Sequence, residues 1–486
     1  MPSSPAQGLS WALVPAARAW DNGRVMDNPL NIAPTAPTAD SGPLPEERRL
    51  AGVRVRVDTM GCRVNRYDAA QLRAELSSMG CDVVSDGAGA CDLYVLNTCT
   101  VTHQADAEAR RLARRARRGN PDARVVVTGC YAEVSPEHLL EMPEVDLVVG
   151  NRDKVSLSRG LADLMTGYRP VPAHHAPGRD WGRGVMFGGA DRPLPDPGAD
   201  TRFFLKVQEG CNVTCAFCII PTARGRSRSM PPEDVVTTVN RAVAAGYREV
   251  ILAGIYLGGY GDDLDPATTF STLLTRVLGE TGVPRLRFGS LEPWGLSDDF
   301  VSLFEREPRL LPFLHLPLQS GSASVLKRMH RPCTPSFYRA QVERILAARP
   351  DLFLSTDVMA GFPGESDAEF EEGVCFIDAL PFAHLHVFPY SRRAGTPAAD
   401  APDQVDEEVK RARVRRLIDL SDTKRRIALE RQIGMTTTVL VEAADLGHTH
   451  NNHPIRVVGA GIPDRGELVT VRVTGVDGER LLGGPV

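Results

Sequence analysis

The chain has 486 residues, 42% of them hydrophobic and 24% charged, and a net charge of −5. That length exceeds one ordinary domain, the composition is that of a globular protein, and no apolar run is long enough to cross a bilayer. The charge gives no overall nucleic-acid signature, so any such binding must come from local patches. The ten cysteines suit clustered thiols in a reducing, cytoplasmic compartment better than a disulfide scaffold.

Residues 1–50 read as a disordered tail, because Pro2, Pro15, Pro29, Pro34 and Pro43, among others, interrupt every candidate element. The stretch 10–20 lacks the basic start of a signal peptide. From residue 51 to 166 strand-like runs at 53–58, 93–96 and 124–127 alternate with helical segments at 69–78 and 105–118. That alternation predicts an open parallel α/β sheet. Each run is followed at once by a cysteine: Cys62, Cys99 and Cys130. Residues just past the carboxyl ends of parallel strands gather along one edge of a sheet. The three thiols are therefore expected to meet as a metal-binding triplet, despite sequence separations of 37 and 31. For Cys81, Cys91, Cys333 and Cys375, which share no such position, the expectation is a buried core thiol.

A Pro/Gly-rich linker spans 167–200, and a third region spans 201–432. Strand candidates at 202–207, 249–253, 285–288, 313–315, 352–357 and 385–388 alternate with helices at 232–245, 270–280, 338–348 and 367–379. Six such units predict a partial parallel (β/α) barrel with its chemistry at the carboxyl ends of the strands. Cys211, Cys215 and Cys218 follow the first of them as a CxxxCxxC triplet. Three thiolates can hold three irons of a [4Fe–4S] cube and leave the fourth open to a ligand. Zinc usually asks for a fourth Cys or His, and none stands nearby. Gly254, Glu292, and Gly361, Pro363, Gly364 and Glu365 of the 361–365 loop follow other strands and would line the same mouth. Residues 409–432 read as a long basic helix. Short β-rich runs at 436–442, 455–458 and 468–473 then predict a small barrel over 433–486.

The flanks of the CxxxCxxC triplet, with Phe217 before the last cysteine, resemble the radical S-adenosylmethionine (SAM) enzymes. With Gly61-Cys62-Arg63-Val64-Asn65, Asn97-Thr98-Cys99, Thr128-Gly129-Cys130, Pro317-Leu318-Gln319-Ser320-Gly321 and Phe388-Pro389-Tyr390-Ser391, residues 51–486 resemble the radical SAM methylthiotransferases. Val64 and the run from Thr100 to Asp106 are most like the branch acting on threonylcarbamoyladenosine in tRNA. The other branches act on isopentenyladenosine in tRNA or on a ribosomal-protein aspartate.

The resemblance implies two [4Fe–4S] clusters, one on each cysteine triplet, with SAM on the second. It implies a C-terminal TRAM-type barrel and a 5′-deoxyadenosyl radical that attacks carbon 2 of the adenine at position 37, an unactivated position that calls for radical chemistry. It also implies a methylthio group delivered from the Cys62, Cys99 and Cys130 cluster. The partners implied are tRNA and a small electron donor of the flavodoxin or ferredoxin type, with no membrane. Arg110, Arg114 and Arg118, at i, i+4 spacing on one helix face, and Arg415 on the basic helix are candidate phosphate contacts. Against this, the last region carries four arginines and six acids, and His453 stands where the family often has an aromatic. A non-catalytic iron–sulfur RNA-binding or sensor protein is the alternative from another class, and it would leave the 361–365 loop without a purpose.

Overall fold

The computed structural model describes residues 19–21, 24–26, 50–84, 91–154, 157–165, 192–198 and 200–486. Within the expected tail, Ala19–Asp21 and Arg24–Met26 pair antiparallel, so that part is not without structure. The two strands lie in the longest proline-free stretch of the tail, between Pro15 and Pro29. The rest of the tail, and most of the 167–200 linker, lie outside the described residues.

Five parallel strands form the first sheet, in the order Asp82–Val83, Arg54–Thr59, Leu93–Thr98, Arg124–Gly129, Leu147–Val149. Numbered along the chain this is 2-1-3-4-5, a doubly wound sheet whose direction of winding reverses between Arg54–Thr59 and Leu93–Thr98. The strands are apolar on both faces because helices cover both. Leu93 and Val95 pack under the helix Arg63–Ser78, and Tyr94 and Leu96 under His103–Gly119. Thr102 caps the latter by accepting from the Ala105 amide at 3.1 Å.

Six strands build the second region: Phe203–Lys206, Glu249–Ala253, Arg285–Phe288, Phe313–His315, Phe353–Ala360 and His384–Pro389. They lie side by side in chain order as two three-stranded parallel sheets. Parallel bridges Leu286↔Leu310 and Ser290↔His315 join the halves into one partial barrel. The strands match their sequence expectations to within two residues, except that Phe353–Ala360 runs three residues past its expected end. The largest apolar core lies between these strands and their helices, and it takes in Tyr67 from the first region.

Thr436–Ala443, Leu446–Thr449, Pro454–Val457, Arg480–Pro485 and Leu468–Asp477 close into a five-stranded barrel. It seals the amino-terminal ends of the larger barrel's strands. Arg285 and Arg287 both donate to the Thr449 carbonyl, at 3.2 and 2.9 Å, and His450 Nε2 meets Asp351 at 3.0 Å. His453 is 3% exposed, with its ring edge-on to Phe353 at 4.8 Å. The residue that departs from the family pattern is thus an interdomain core side chain. No helix among the described residues is long and apolar enough to cross a membrane.

Candidate metal centre and substrate site

The parallel sheet carries Cys62, Cys99 and Cys130 to one edge, with Cys62 and Cys99 on either side of the winding reversal. Glycines make this approach possible. Gly61 has φ +92°, and a Cβ there would lie 2.7 Å from Cys99 Cβ. Gly129 has φ +100°, and its Cβ would lie 2.4 Å from the Thr98 carbonyl. Cys99 is half-buried and Cys130 buried, while Cys62 is exposed. Their charges act on one another. Burial first and then Cys130 push the Cys99 thiol up to about 12. Burial also raises the Cys62 thiol, and Arg224 works against it.

The CxxxCxxC loop is fixed by its neighbours. The Ala216 amide donates to the Met329 carbonyl at 3.0 Å, and the Ala398 amide donates to the Ala216 carbonyl at 2.9 Å. Phe217, the aromatic before Cys218, packs edge-on to Phe362 of the 361–365 loop at 6.5 Å. Burial pushes the Cys211 thiol up to about 11 and the Cys218 thiol up to about 12. Such thiols stay protonated until a metal ion takes the thiolate, so loading releases protons. Among the described residues no three His, Cys, Asp or Glu side chains converge on a single ion. A cube does not ask for that, since each thiolate binds its own iron.

Glu292 stands beside this loop and is 9% exposed, and its Oε2 has no hydrogen-bond partner. Burial pushes its carboxyl up to about 7 against the pull of Arg331. Gln319 is also buried with an orphan Oε1 and is held at φ +77°, rare for a residue with a side chain. Arg331 lies with Nη1 3.8 Å from Cys215 Sγ and its guanidinium over Trp294 at 4.8 Å. An orphan carboxylate oxygen beside these thiols, with a cation close by, fits an iron–sulfur cube with SAM at its open iron.

The other loop residues do different work. Glu365 Oε2 accepts from the Gly361 amide at 2.7 Å and from Arg413 at 2.8 Å, which ties the loop to the basic helix. Gly361 has φ +75°, and a Cβ there would meet Lys410 Cγ at 2.1 Å. Pro363 and Gly364 line a cavity with Ala216 and Phe362. Gly254 packs under Leu257, where a Cβ would come within 2.4 Å, and its loop is held by Gln208 Oε1 accepting from the Ile255 and Tyr256 amides.

Sequence reasoning missed what joins the two triplets. Arg224, 1% exposed, ends the short helix after Cys218 and pairs with Glu209 at 2.5 Å. It also reaches Asn65 Oδ1 and Asp68 on the helix that follows Cys62. Lys206 and Lys154 meet Asp68 at 2.8 and 2.9 Å. Burial alone would raise the Asp68 carboxyl, but Lys154, Lys206 and Arg224 hold it well below the usual carboxylate range. Charges distant in sequence carry no periodicity, so only the first region's Asn65 was visible, as part of a motif.

The arginine stripe is uneven. Arg110 is half-buried and donates to Tyr131 at 2.5 Å, Arg114 is exposed with Glu144 at 3.9 Å, and Arg118 is exposed. On the basic helix Glu407–Glu430, Lys410, Arg413 and Lys424 are buried. Arg413 is held by Glu365 and Asp367, and Lys424 donates to the Asp378 and Leu380 carbonyls. Only part of that helix's charge, Arg415 included, faces outward. Cys81 and Cys91 are core thiols as expected, but Cys375 is exposed, because Val374 and Ile377 take the inner face of its helix.

A thiolate triplet after the first strand of a six-stranded half-barrel, next to an orphan acceptor, is the arrangement of the radical SAM class. Comparison with known proteins agrees: residues 205–376 match the Radical SAM superfamily, and residues 54–150 match the Uncharacterized protein family UPF0004. The threonylcarbamoyladenosine tRNA methylthiotransferase MtaB of Bacillus subtilis is 42% identical over 75% of this chain and 79% of its own. That of Aquifex aeolicus is 36% identical over 87% and 100%. A tRNA-2-methylthio-N(6)-dimethylallyladenosine synthase of Opitutus terrae is 35% identical over 88% and 97%. The chain belongs to the radical SAM methylthiotransferases and is most like their threonylcarbamoyladenosine branch. In fold it is also similar to the radical SAM methyltransferase TsrM of Kitasatospora setae, at TM-score 0.51 and 17% identity over 72% of this chain and 74% of that one.

Proposed function

We propose that this enzyme replaces the carbon 2 hydrogen of N6-threonylcarbamoyladenosine at position 37 of tRNA by a methylthio group. The observation that carries the reading is the junction at Arg224, where one buried charge network joins the element after Cys218 to the element after Cys62. Two triplets, each able to leave one iron open, suit a reaction that needs both a radical and a sulfur donor.

Cys211, Cys215 and Cys218 would hold one [4Fe–4S] cluster, and Cys62, Cys99 and Cys130 a second. When bound, these clusters and SAM supply the one-electron and sulfur-transfer chemistry. The chain's own part is to bind and orient. The orphan Oε2 of Glu292 is placed to accept from an ammonium group such as that of SAM. Arg331 and Arg224 offset negative charge beside the thiolates. The glycines at 361 and 364 shape the loop packed on Phe217. Outward-facing Arg114, Arg118 and Arg415 are available to tRNA phosphates, with Arg110 at the inner end of the stripe. A small flavodoxin- or ferredoxin-type donor would supply electrons in the cytoplasm.

Mass spectrometry of tRNA nucleosides from cells with and without the gene tests the reading. The methylthio derivative of threonylcarbamoyladenosine should vanish with the gene and return with it. Loss of the isopentenyl derivative instead would move the enzyme to the other tRNA branch.

A further inference from the structure

A cavity of about 420 Å³ opens where all three regions meet. Five arginines line it, Arg63, Arg66, Arg202, Arg287 and Arg465, against Asp200 and Glu442 in its wall and the buried Glu249 behind it, which pairs with Arg287 at 2.9 Å. Glu442 is taken by Arg202. Arg63 makes one hydrogen bond, to the Phe288 carbonyl at 3.1 Å, and lies over Phe313 at 5.2 Å. Arg66 lies over Phe204 at 5.1 Å. Among the described residues Arg66 has no carboxylate partner, and Arg63 has no ion pair, only the field of the buried Glu249. Arg287 is 2% exposed, and its Nη1 has no hydrogen-bond partner.

Resting on the substrate reading above, we propose that this cavity binds the carboxylate of the substrate's threonyl arm, and that Arg63 and Arg66 are specificity-determining residues for it. Arg63 directly follows Cys62, so its Cα lies about 3.8 Å from that of the first thiolate residue. A base arm that reaches Arg63 from the cysteine end of the helix Arg63–Ser78 therefore keeps its ring on the Cys62 side of the cavity. A guanidinium lying on a ring face keeps its N–H edge free for a two-oxygen acceptor. Phe204 and Ile251 in the same wall suit a short methyl-bearing group. An isopentenyl arm would strip water from these guanidinia and return no hydrogen bond, which selects against it.

The test uses the reconstituted full-length enzyme and three anticodon stem-loops, carrying threonylcarbamoyladenosine, isopentenyladenosine or adenosine at position 37. Affinities are read by fluorescence anisotropy at one salt concentration. The wild type should prefer the threonylcarbamoyl loop over the adenosine loop by about tenfold or more, the scale of one charge-assisted pair. Arg63→Gln/Arg66→Gln should cut that preference below about threefold. Because Arg63 also holds the Phe288 carbonyl, Arg66→Gln is measured alone and should lose part of the preference. A preference retained in both variants overturns the anion site, and so does an equal loss for all three loops, which would mean phosphate contacts. A wild-type preference for the isopentenyl loop would overturn the substrate reading itself.

Discussion

His453 links the pH to the seating of the C-terminal barrel. Its ring is buried against Phe353, and burial, followed by the nearby His450 and His448, holds its pKa down to about 4. In the unfolded or undocked chain the value is about 6.5. The folded state therefore binds its proton less readily, and stability is full above pH 6.5 and lost as pH falls toward 4. The whole difference is worth about 3 kcal/mol. Between pH 7 and pH 5 the loss is about 2 kcal/mol, roughly twentyfold in the opening equilibrium. Hydrogen exchange of the strands Thr436–Ala443 and Pro454–Val457, corrected for intrinsic rates, reads this opening. His453→Phe should remove most of the pH slope and leave the ring contact with Phe353. His448 and His450 pair with Glu442 and Asp351 and are present in both proteins, so the difference between the two isolates His453. Equal slopes in wild type and variant would refute the argument.

Reconstituted protein should hold about eight irons. Alanine at Cys211, Cys215 and Cys218 should leave about four and abolish SAM cleavage, as measured by iron assay and by release of 5′-deoxyadenosine. Alanine at Cys62, Cys99 and Cys130 should also leave about four, yet 5′-deoxyadenosine should still form with a reductant while no methylthio product appears. Arg114→Glu/Arg118→Glu should weaken tRNA binding and lower the slope of affinity against salt by about one to two units; an unchanged slope would mark both as solvated surface. Arg110 is left out because its bond to Tyr131 makes its loss a packing change. Arg224→Met strands Asp68 and Glu209 without a near guanidinium and should cost about 3–5 kcal/mol, visible as a lowered thermal midpoint.

Periodicity made most of the fold legible. Alternating apolar runs and helical stretches marked the three main strands of the first sheet, all six of the half-barrel and the long C-terminal helix. Asp82–Val83 and Leu147–Val149 escaped because two or three residues show no period, and Leu446–Thr449 and Arg480–Pro485 because glycines break the β signal. The cysteine triplets were legible because each thiol follows a strand or a tight motif. Arg224, Arg331 and Lys206 were not, since their meaning comes from partners far along the chain. Nor did the run of charge on Glu407–Glu430 reveal which members turn inward: Arg413 and Lys424 bind two carboxylates and two carbonyls, while Arg415 stays exposed.

The shared ownership of Asp68 bears on how such enzymes can be recombined. One of its cations, Lys154, belongs to its own domain, and two, Lys206 and Arg224, come from the half-barrel. Split the chain between them and one fragment keeps a carboxylate with a single counter-ion, while the other keeps two cations with only Glu209. Neither half is a self-sufficient module. A chimaera that takes its sulfur-donating domain from one methylthiotransferase and its radical domain from another should therefore inherit its solubility from whether positions 68, 206, 209 and 224 travelled together. Domain borders drawn on the sequence alone would cut through that partnership.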